Sequence, residues 1–253
     1  MRLILALLCL VAGASTGAGG VAAADLKLLT TSTFQPAALA LLPEFEKRTG
    51  HKVTIEIATS NNFDGRMDAG EYFDVVVMTA RLLDPYLGGR VVENSATPVA
   101  RAGLGVAVKL GAPLPDISGI GAFRKTMLAA RAVAYIDPAS GASSGLYLEW
   151  LFGKLGIAAQ IKAKAVLVPA GGLVADKLTN GEADIGLQQR SELMNAAGTV
   201  LVGPIPLELQ NYTLYLGGIS AVTRHRTAAD ELLSMLVDRK NNALFKKLGL
   251  SES

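Results

Sequence analysis

The sequence is poor in the residues that most often announce a chemistry. Its 253 residues include one Cys, one Trp and two His. One Cys forms neither an intrachain disulfide nor a structural zinc site. His51 and His225 lie far apart and show no metal-ligand spacing. Charge of one sign is also lacking: 24 Lys and Arg face 22 Asp and Glu, and a net charge of +2 is no electrostatic footprint for a nucleic acid. With 50% hydrophobic residues, the chain is too apolar for disorder. No P-loop and no G-x-G-x-x-G is present. Beyond residue 24 no stretch reaches about 18 uninterrupted apolar residues, the length a membrane-spanning helix needs.

What is there begins with an address. Residues 1–24 have the three-part layout of a secretory signal peptide: Arg2, an apolar run over residues 3–12, then small residues ending in Ala22-Ala23-Ala24 before Asp25. Leu8 precedes Cys9 where a lipobox requires Gly, Ala or Ser, so no lipid anchor is expected. The expected product is a soluble exported protein of a bacterial periplasm.

Past the leader, short apolar runs alternate with helical patterns. Strands are expected over residues 26–29, 53–57, 73–78 and 104–108, and again over 133–136, 165–168, 185–187 and 212–220. Helices are expected over 36–49, 62–69, 145–155, 173–179, 228–238 and 241–248. Pro43 should kink the first of them. A Pro- and Gly-rich loop fills 111–121. Two such series predict an α/β fold: two α/β lobes of parallel sheets covered by helices, with a ligand cleft between them. Residues 25–104 with 216–253 form lobe 1, and 105–215 form lobe 2. The crossings fall near 104–108 and 212–220, where Gly217-Gly218 suits a hinge or, more plainly, a β-bulge.

Open α/β sheets bind ligands beyond the carboxyl ends of their strands. Four strand-to-helix junctions share one chemistry: Thr30-Thr31-Ser32-Thr33, Thr59-Ser60-Asn61-Asn62, Ser140-Gly141-Ala142-Ser143-Ser144-Gly145 and Ala170-Gly171-Gly172. All are small, hydroxylic or Gly-rich, and none contains a carboxylate. Each opens a helix, whose first N–H groups are unpaired. One helix end contributes only about 0.3–1 kcal/mol to holding an anion, so several converging junctions with charge-assisted hydrogen bonds are required. Ser, Thr and Asn are also ordinary helix caps, which accounts for any one junction alone.

At these residues the chain resembles the type 2 periplasmic solute-binding proteins, and among them the molybdate-binding proteins of ABC transporters. The resemblance runs through residues 28–34 (LLTTSTF), 45–50 (FEKRTG), 57–61 (IATSN), 68–70, 73–77, Asp137-Pro138, Ser143-Ser144-Gly145 and 154–156. It implies that hydroxyls at the first two junctions and backbone N–H groups at the later two grip a tetrahedral oxyanion. Thr33 and Ser60 take the hydroxyl positions, Ser144 and Gly171 the backbone positions. The family's Tyr after the seventh strand is replaced here by Gln189, followed by Arg190. Arg81 follows the 73–78 strand toward the cleft side, and Arg66 lies on the helix after Ser60. Arg pairs bidentately with carboxylates, so Arg81 or Arg190 in the cleft would suit an organic acid better than molybdate. The implied partners are a small anion and a transporter permease with its ATPase. No cofactor or resident metal is implied, and a monomer is expected.

The same scaffold resembles the periplasmic aconitate isomerases, which move a proton on a tricarboxylate. That activity needs a base beside an acidic C–H. Asp137 and Glu149 fall near a cleft junction, without a spacing that marks either as the base. Residues 141–145 fit G-x-S-x-G, but 137–140 separate them from the strand that a nucleophile elbow should follow. His51 is expected at a surface strand start, His225 in a basic loop. Arg239, Lys240, Lys246 and Lys247 read as a solvated helix face. Trp150 and Phe152 read as packing for their helix.

Overall fold

The architecture comes from a computed structural model that describes residues 23–194 and 196–251. The expected leader lies outside these residues except for Ala23 and Ala24. The first half of the chain contains β1 (Asp25–Thr30), α1 (Gln35–Thr49), β2 (Lys52–Ile57), α2 (Phe63–Asp68), β3 (Val75–Thr79), α3 (Ala80–Leu83) and the long β4 (Thr97–Lys109). There follow α4 (Ile120–Ala129), β5 (Val133–Ile136), α5 (Ser143–Lys154), α6 (Ala158–Lys162), β6 (Ala165–Val168), α7 (Val174–Thr179), β7 (Ile185–Gln189), α8 (Arg190–Leu193) and β8 (Thr199–Pro204). The chain finishes with β9 (Tyr212–Ile219), α9 (Arg226–Leu236), α10 (Asn242–Lys247) and the short β10 (Leu250–Ser251).

The fold is α/β, and β4 belongs to both halves of it. Residues 97–103 of β4 pair with β9, while residues 104–109 pair with β7 and β8. On the first side the order runs β2-β1-β3-β9-β4, and on the second β4-β7-β5-β6. The sheets are mixed rather than parallel as expected. The strands β2, β1 and β3 are mutually parallel, as are β6, β5 and β7, but β9 and β4 enter antiparallel. The reason is the return path: a chain that crosses out through β4 and comes back through β9 must reverse direction.

Apolar packing divides at the same places. Two clusters draw only on residues 24–102 and 215–250, among them Phe34, Phe45, Phe63 and Phe73. Two others draw only on 104–209, among them Phe123, Leu148 and Phe152. The chain passes between them at Gly103–Leu104 and again over 210–214. Gln210 ties the two crossings together: its Oε1 accepts from the Leu104 N–H at 2.8 Å and its Nε2 donates to the Leu104 carbonyl at 2.9 Å.

Local signals explain most elements. The Gly50 residue closes α1 in the left-handed region at φ 76°, with its N–H on the Glu46 carbonyl. The helix continues through Pro43 as one element. The Gly217-Gly218 pair is neither hinge nor bulge. It lies in β9 beside β3, where a Cβ on Gly217 would meet Leu233 Cδ1 at 2.5 Å and one on Gly218 would meet Val91 Cγ1 at 2.6 Å. Close packing therefore requires glycine there, and the register shift sits opposite, in β4 between Pro98 and Ala100. His51 is also corrected: it is buried at 1% exposure, and its Nδ1 accepts from the N–H of Ala24, which is buried as well. Phe152 is buried as expected, but Trp150 is 53% exposed, with the Lys154 ammonium over its ring.

Candidate functional site

The four junctions converge. Residues from each of them line one cavity between the lobes, of about 60 Å³. Each sits at the carboxyl end of a strand and the start of a helix, β1–α1, β2–α2, β5–α5 and β6–α7, as the topology of a doubly wound sheet demands. Thr33 and Ser144 are buried at 5% and 6% exposure. Gly171 stands at φ +84°, and a Cβ on it would lie 2.7 Å from Thr59 Cγ2 across the cleft. Only glycine lets the two walls approach this closely.

Contacts join the walls. The Ser60 hydroxyl donates to the Ser140 carbonyl at 3.1 Å. The Arg81 guanidinium donates to the Gly141 carbonyl at 2.6 Å. The Ser32 hydroxyl donates to Glu192 Oε1 at 2.7 Å. In each pair the first residue comes from the part of the chain that packs within 24–102 and 215–250, the second from the part that packs within 104–209. The conformation is closed.

Five of the seven expected site residues, Thr33, Ser60, Ser144, Gly171 and Gln189, line the cavity; Arg81 and Arg190 do not. Arg81 sits beyond the wall, holding the Gly141 loop. The Arg190 side chain lies against Gly105, where a Cβ would be 2.9 Å from its Cγ, and its Nε is buried without a protein partner. The Gln189 amide is already engaged. Oriented to satisfy both ends, it donates to the Ala102 and Gly103 carbonyls at 3.1 and 3.2 Å and accepts from the Thr213 hydroxyl at 3.1 Å. These partners are on β4 and β9, so Gln189 fastens the crossing strands at the cavity wall. Arg66 is committed too, to Glu71 and to the Ile57 carbonyl.

A fifth junction, β7–α8, supplies what the first four lack. Glu192 contributes the cavity's one carboxyl group, as its lining is drawn from the described residues. Burial of that carboxyl, against the smaller opposing effect of hydrogen bonds from Ser32, Gln188 and Thr33, pushes it up to about 7. The other titratable lining residue is Tyr215 of β9, at 3% exposure, whose hydroxyl burial raises well above its ordinary value. Tyr215 is thus a neutral hydrogen-bond partner. Among the described residues no Lys, Arg or His lines the cavity. The Thr79 hydroxyl, at the end of β3, is buried without a protein partner and belongs to a lining residue. Sequence reasoning missed Glu192 because it searched for small and hydroxylic junctions. The usable signal was its position three residues past the strand end, the same offset as Thr33 after β1.

Asp137 and Glu149 are placed elsewhere. They border a surface depression with Tyr135 and Lys162, and the Asp137 carboxyl caps a turn by accepting from the Ala139 N–H. Among the described residues no group of three or more His, Cys, Asp or Glu stands together as a metal site would require.

The arrangement can hold a small anion through hydroxyls and helix-opening N–H groups, and it can exchange a proton with it. Comparison with known proteins agrees with this architecture. An aconitate isomerase from Pseudomonas sp is 36% identical over 218 residues, covering 82% of this chain and 80% of that one. The molybdate-binding protein of the Azotobacter vinelandii periplasm superposes with a TM-score of 0.73 at 20% identity, over 90% of this chain and 99% of that one. PEB3, a Campylobacter jejuni protein, superposes in its L-phospholactate-bound form with a TM-score of 0.70 at 16% identity, over 90% and 100% of the two chains. The model of one family, bacterial extracellular solute-binding protein, matches residues 26–251, and the chain belongs to that family.

Proposed function

We propose that this protein works in the periplasm as an isomerase of a small organic acid, a tricarboxylate such as aconitate, held between its two lobes. The observation that carries this reading is the make-up of the cavity: donors for an anion from four junctions, and one carboxyl group from a fifth. A site for molybdate or sulfate has use only for donors. A carbon acid, by contrast, needs both: donors for its carboxylates and a base for its proton. The 36% identity to an aconitate isomerase points the same way, since the oxyanion-binding neighbours share the fold at far lower identity. The test is incubation of the purified protein with cis-aconitate and with trans-aconitate, followed by proton NMR. Interconversion supports the reading, and unchanged spectra after long incubation end it.

The second reading is capture for a membrane transporter, with an ABC permease and ATPase as partners. The closed cleft favours it, because closure of two lobes on a ligand is how such capture works. A thermal-shift panel separates the two. Stabilisation by molybdate and tungstate alone selects capture of an oxyanion, and stabilisation by carboxylates alone selects the organic acid. A ligand at 100 times its Kd stabilises by about 2.7 kcal/mol. That amounts to several degrees at roughly 2–4 °C per kcal/mol.

A further inference from the structure

We propose that Glu192 is the catalytic acid–base residue of this cleft, taking a proton from one carbon of a bound unsaturated carboxylic acid and returning it to another. This rests on the organic-acid reading above and names the group that performs the chemistry.

Three features of the geometry lead to it. First, Glu192 is the cavity's one carboxyl group, and among its lining residues only Tyr215 is otherwise titratable. Second, the carboxyl is aimed rather than free. Its own lobe presents it from the start of α8, and Ser32 of the opposite lobe fixes Oε1 at 2.7 Å. The half-buried group is therefore held in place across the cleft when the lobes are together. Third, nothing in the wall neutralises it. With no cation lining the cavity, a permanently charged Glu192 would oppose an anionic ligand. A carboxyl poised near neutrality can be charged to accept a proton and neutral once it has accepted one.

The step balances without a co-reactant. The Glu192 carboxylate removes a proton from a methylene carbon that lies next to a double bond and a carboxylate. The C–H electron pair becomes a new double bond to the neighbouring carbon, and the former π pair moves to the far carbon of the allylic unit. Negative charge spreads onto the adjoining carboxylate oxygens. The Thr79 hydroxyl, which has no protein partner, and the backbone N–H groups at Ser144 and Gly171 belong to the wall where those oxygens can be received. The protonated Glu192 then gives its proton to the far carbon. One C–H bond breaks, one forms, and the double bond has moved.

The test uses the full mature protein, cis- and trans-aconitate, and the variants Glu192→Gln and Glu192→Asp. Proton NMR in D2O reads both interconversion and deuterium entry at the ligand's methylene, and calorimetry reads binding. Glu192→Gln keeps the acceptor for Ser32, so folding and binding should persist, with Kd within about threefold. Interconversion and deuterium entry should both fall by about 10²–10⁴-fold, the usual scale for removing a general acid–base group. Glu192→Asp should retain a small part of the rate. In the wild type, kcat/KM should rise with pH through an inflection near 7, and Tyr215 should contribute none there. Deuterium entry without interconversion, abolished in Glu192→Gln, would support Glu192 while ending the isomerase reading. Interconversion that survives in Glu192→Gln would overturn the assignment and leave the isomerase reading standing. A wild type showing neither would overturn both.

Discussion

The Ser32 hydroxyl donates to Glu192 Oε1 at 2.7 Å across 160 residues of sequence and from one lobe to the other. This bond couples the closed state to the acid–base state of the cleft. A charged carboxylate accepts it more strongly than a neutral carboxyl does. Closure and ionisation of Glu192 therefore influence each other, with Gln188 and Thr33 assisting the charged form and burial opposing it.

The burial of Glu192 has a measurable effect on stability. Its carboxyl titrates near 7 in the folded protein, against an ordinary value of 4.5. Between these values the folded state binds more protons than the unfolded state, so stability falls as pH rises through that window. Glu192→Gln removes the effect. The variant should match the wild type at pH 4–5 and exceed it at pH 8 by about 1–3 kcal/mol. Thermal melts across pH check this, and parallel curves for the two proteins would refute it.

Loss of the Ser60 hydroxyl should be felt in binding rather than folding. Its bond to the Ser140 carbonyl exists only when the lobes meet. Ser60→Ala should weaken ligand binding about fivefold to tenfold, the equivalent of one hydrogen bond of roughly 1 kcal/mol. Calorimetry reads the affinity and a melt of the free protein reads the fold. Unchanged affinity would remove Ser60 from the site.

Gly171→Ala is expected to hold the lobes apart. The added methyl would stand 2.7 Å from Thr59 Cγ2, at a backbone φ of +84° that a side chain rarely adopts. The strain costs about 1–2 kcal/mol in either state, and the clash acts only on closure. Affinity should fall by more than tenfold, and X-ray scattering of the free protein should show a larger radius of gyration. An unchanged radius together with unchanged affinity would contradict this.

Gln189 should matter for stability more than for ligand choice. Its amide serves the Ala102 and Gly103 carbonyls and the Thr213 hydroxyl. Gln189→Ala leaves these groups without that partner beside a buried wall, at a cost of about 1–3 kcal/mol. The melting midpoint should drop accordingly. A large change in the preferred ligand with no change in midpoint would instead assign the amide to recognition.

Much of this protein could be read from residue order alone. The leader-like composition of residues 1–24 and the alternation of apolar runs with helical patterns are local properties. Strands β5 and β6 match the expected ranges at both ends, because β-branched residues bounded by polar turns leave little choice. The four donor junctions were legible too, since a small, hydroxylic or Gly-rich stretch between a strand and a helix is a local pattern. Short elements were not: no element was expected over 122–132, where most of α4 lies, or over β8.

The tertiary structure decided the remainder. Strand direction in the sheets followed from a return path that no local pattern encodes. Gly217 and Gly218 suited a hinge or, more plainly, a β-bulge, and only their neighbours Leu233 and Val91 show that they make room for packing. Arg81 and Arg190 carried the right charge for an organic acid, but the first is held by the Gly141 carbonyl, the second lies against Gly105, and neither lines the cavity. Glu192 was one acidic residue among 22 Asp and Glu. Its significance arises from burial among groups that are distant in sequence, because a carboxyl's proton affinity is set by what surrounds it in space.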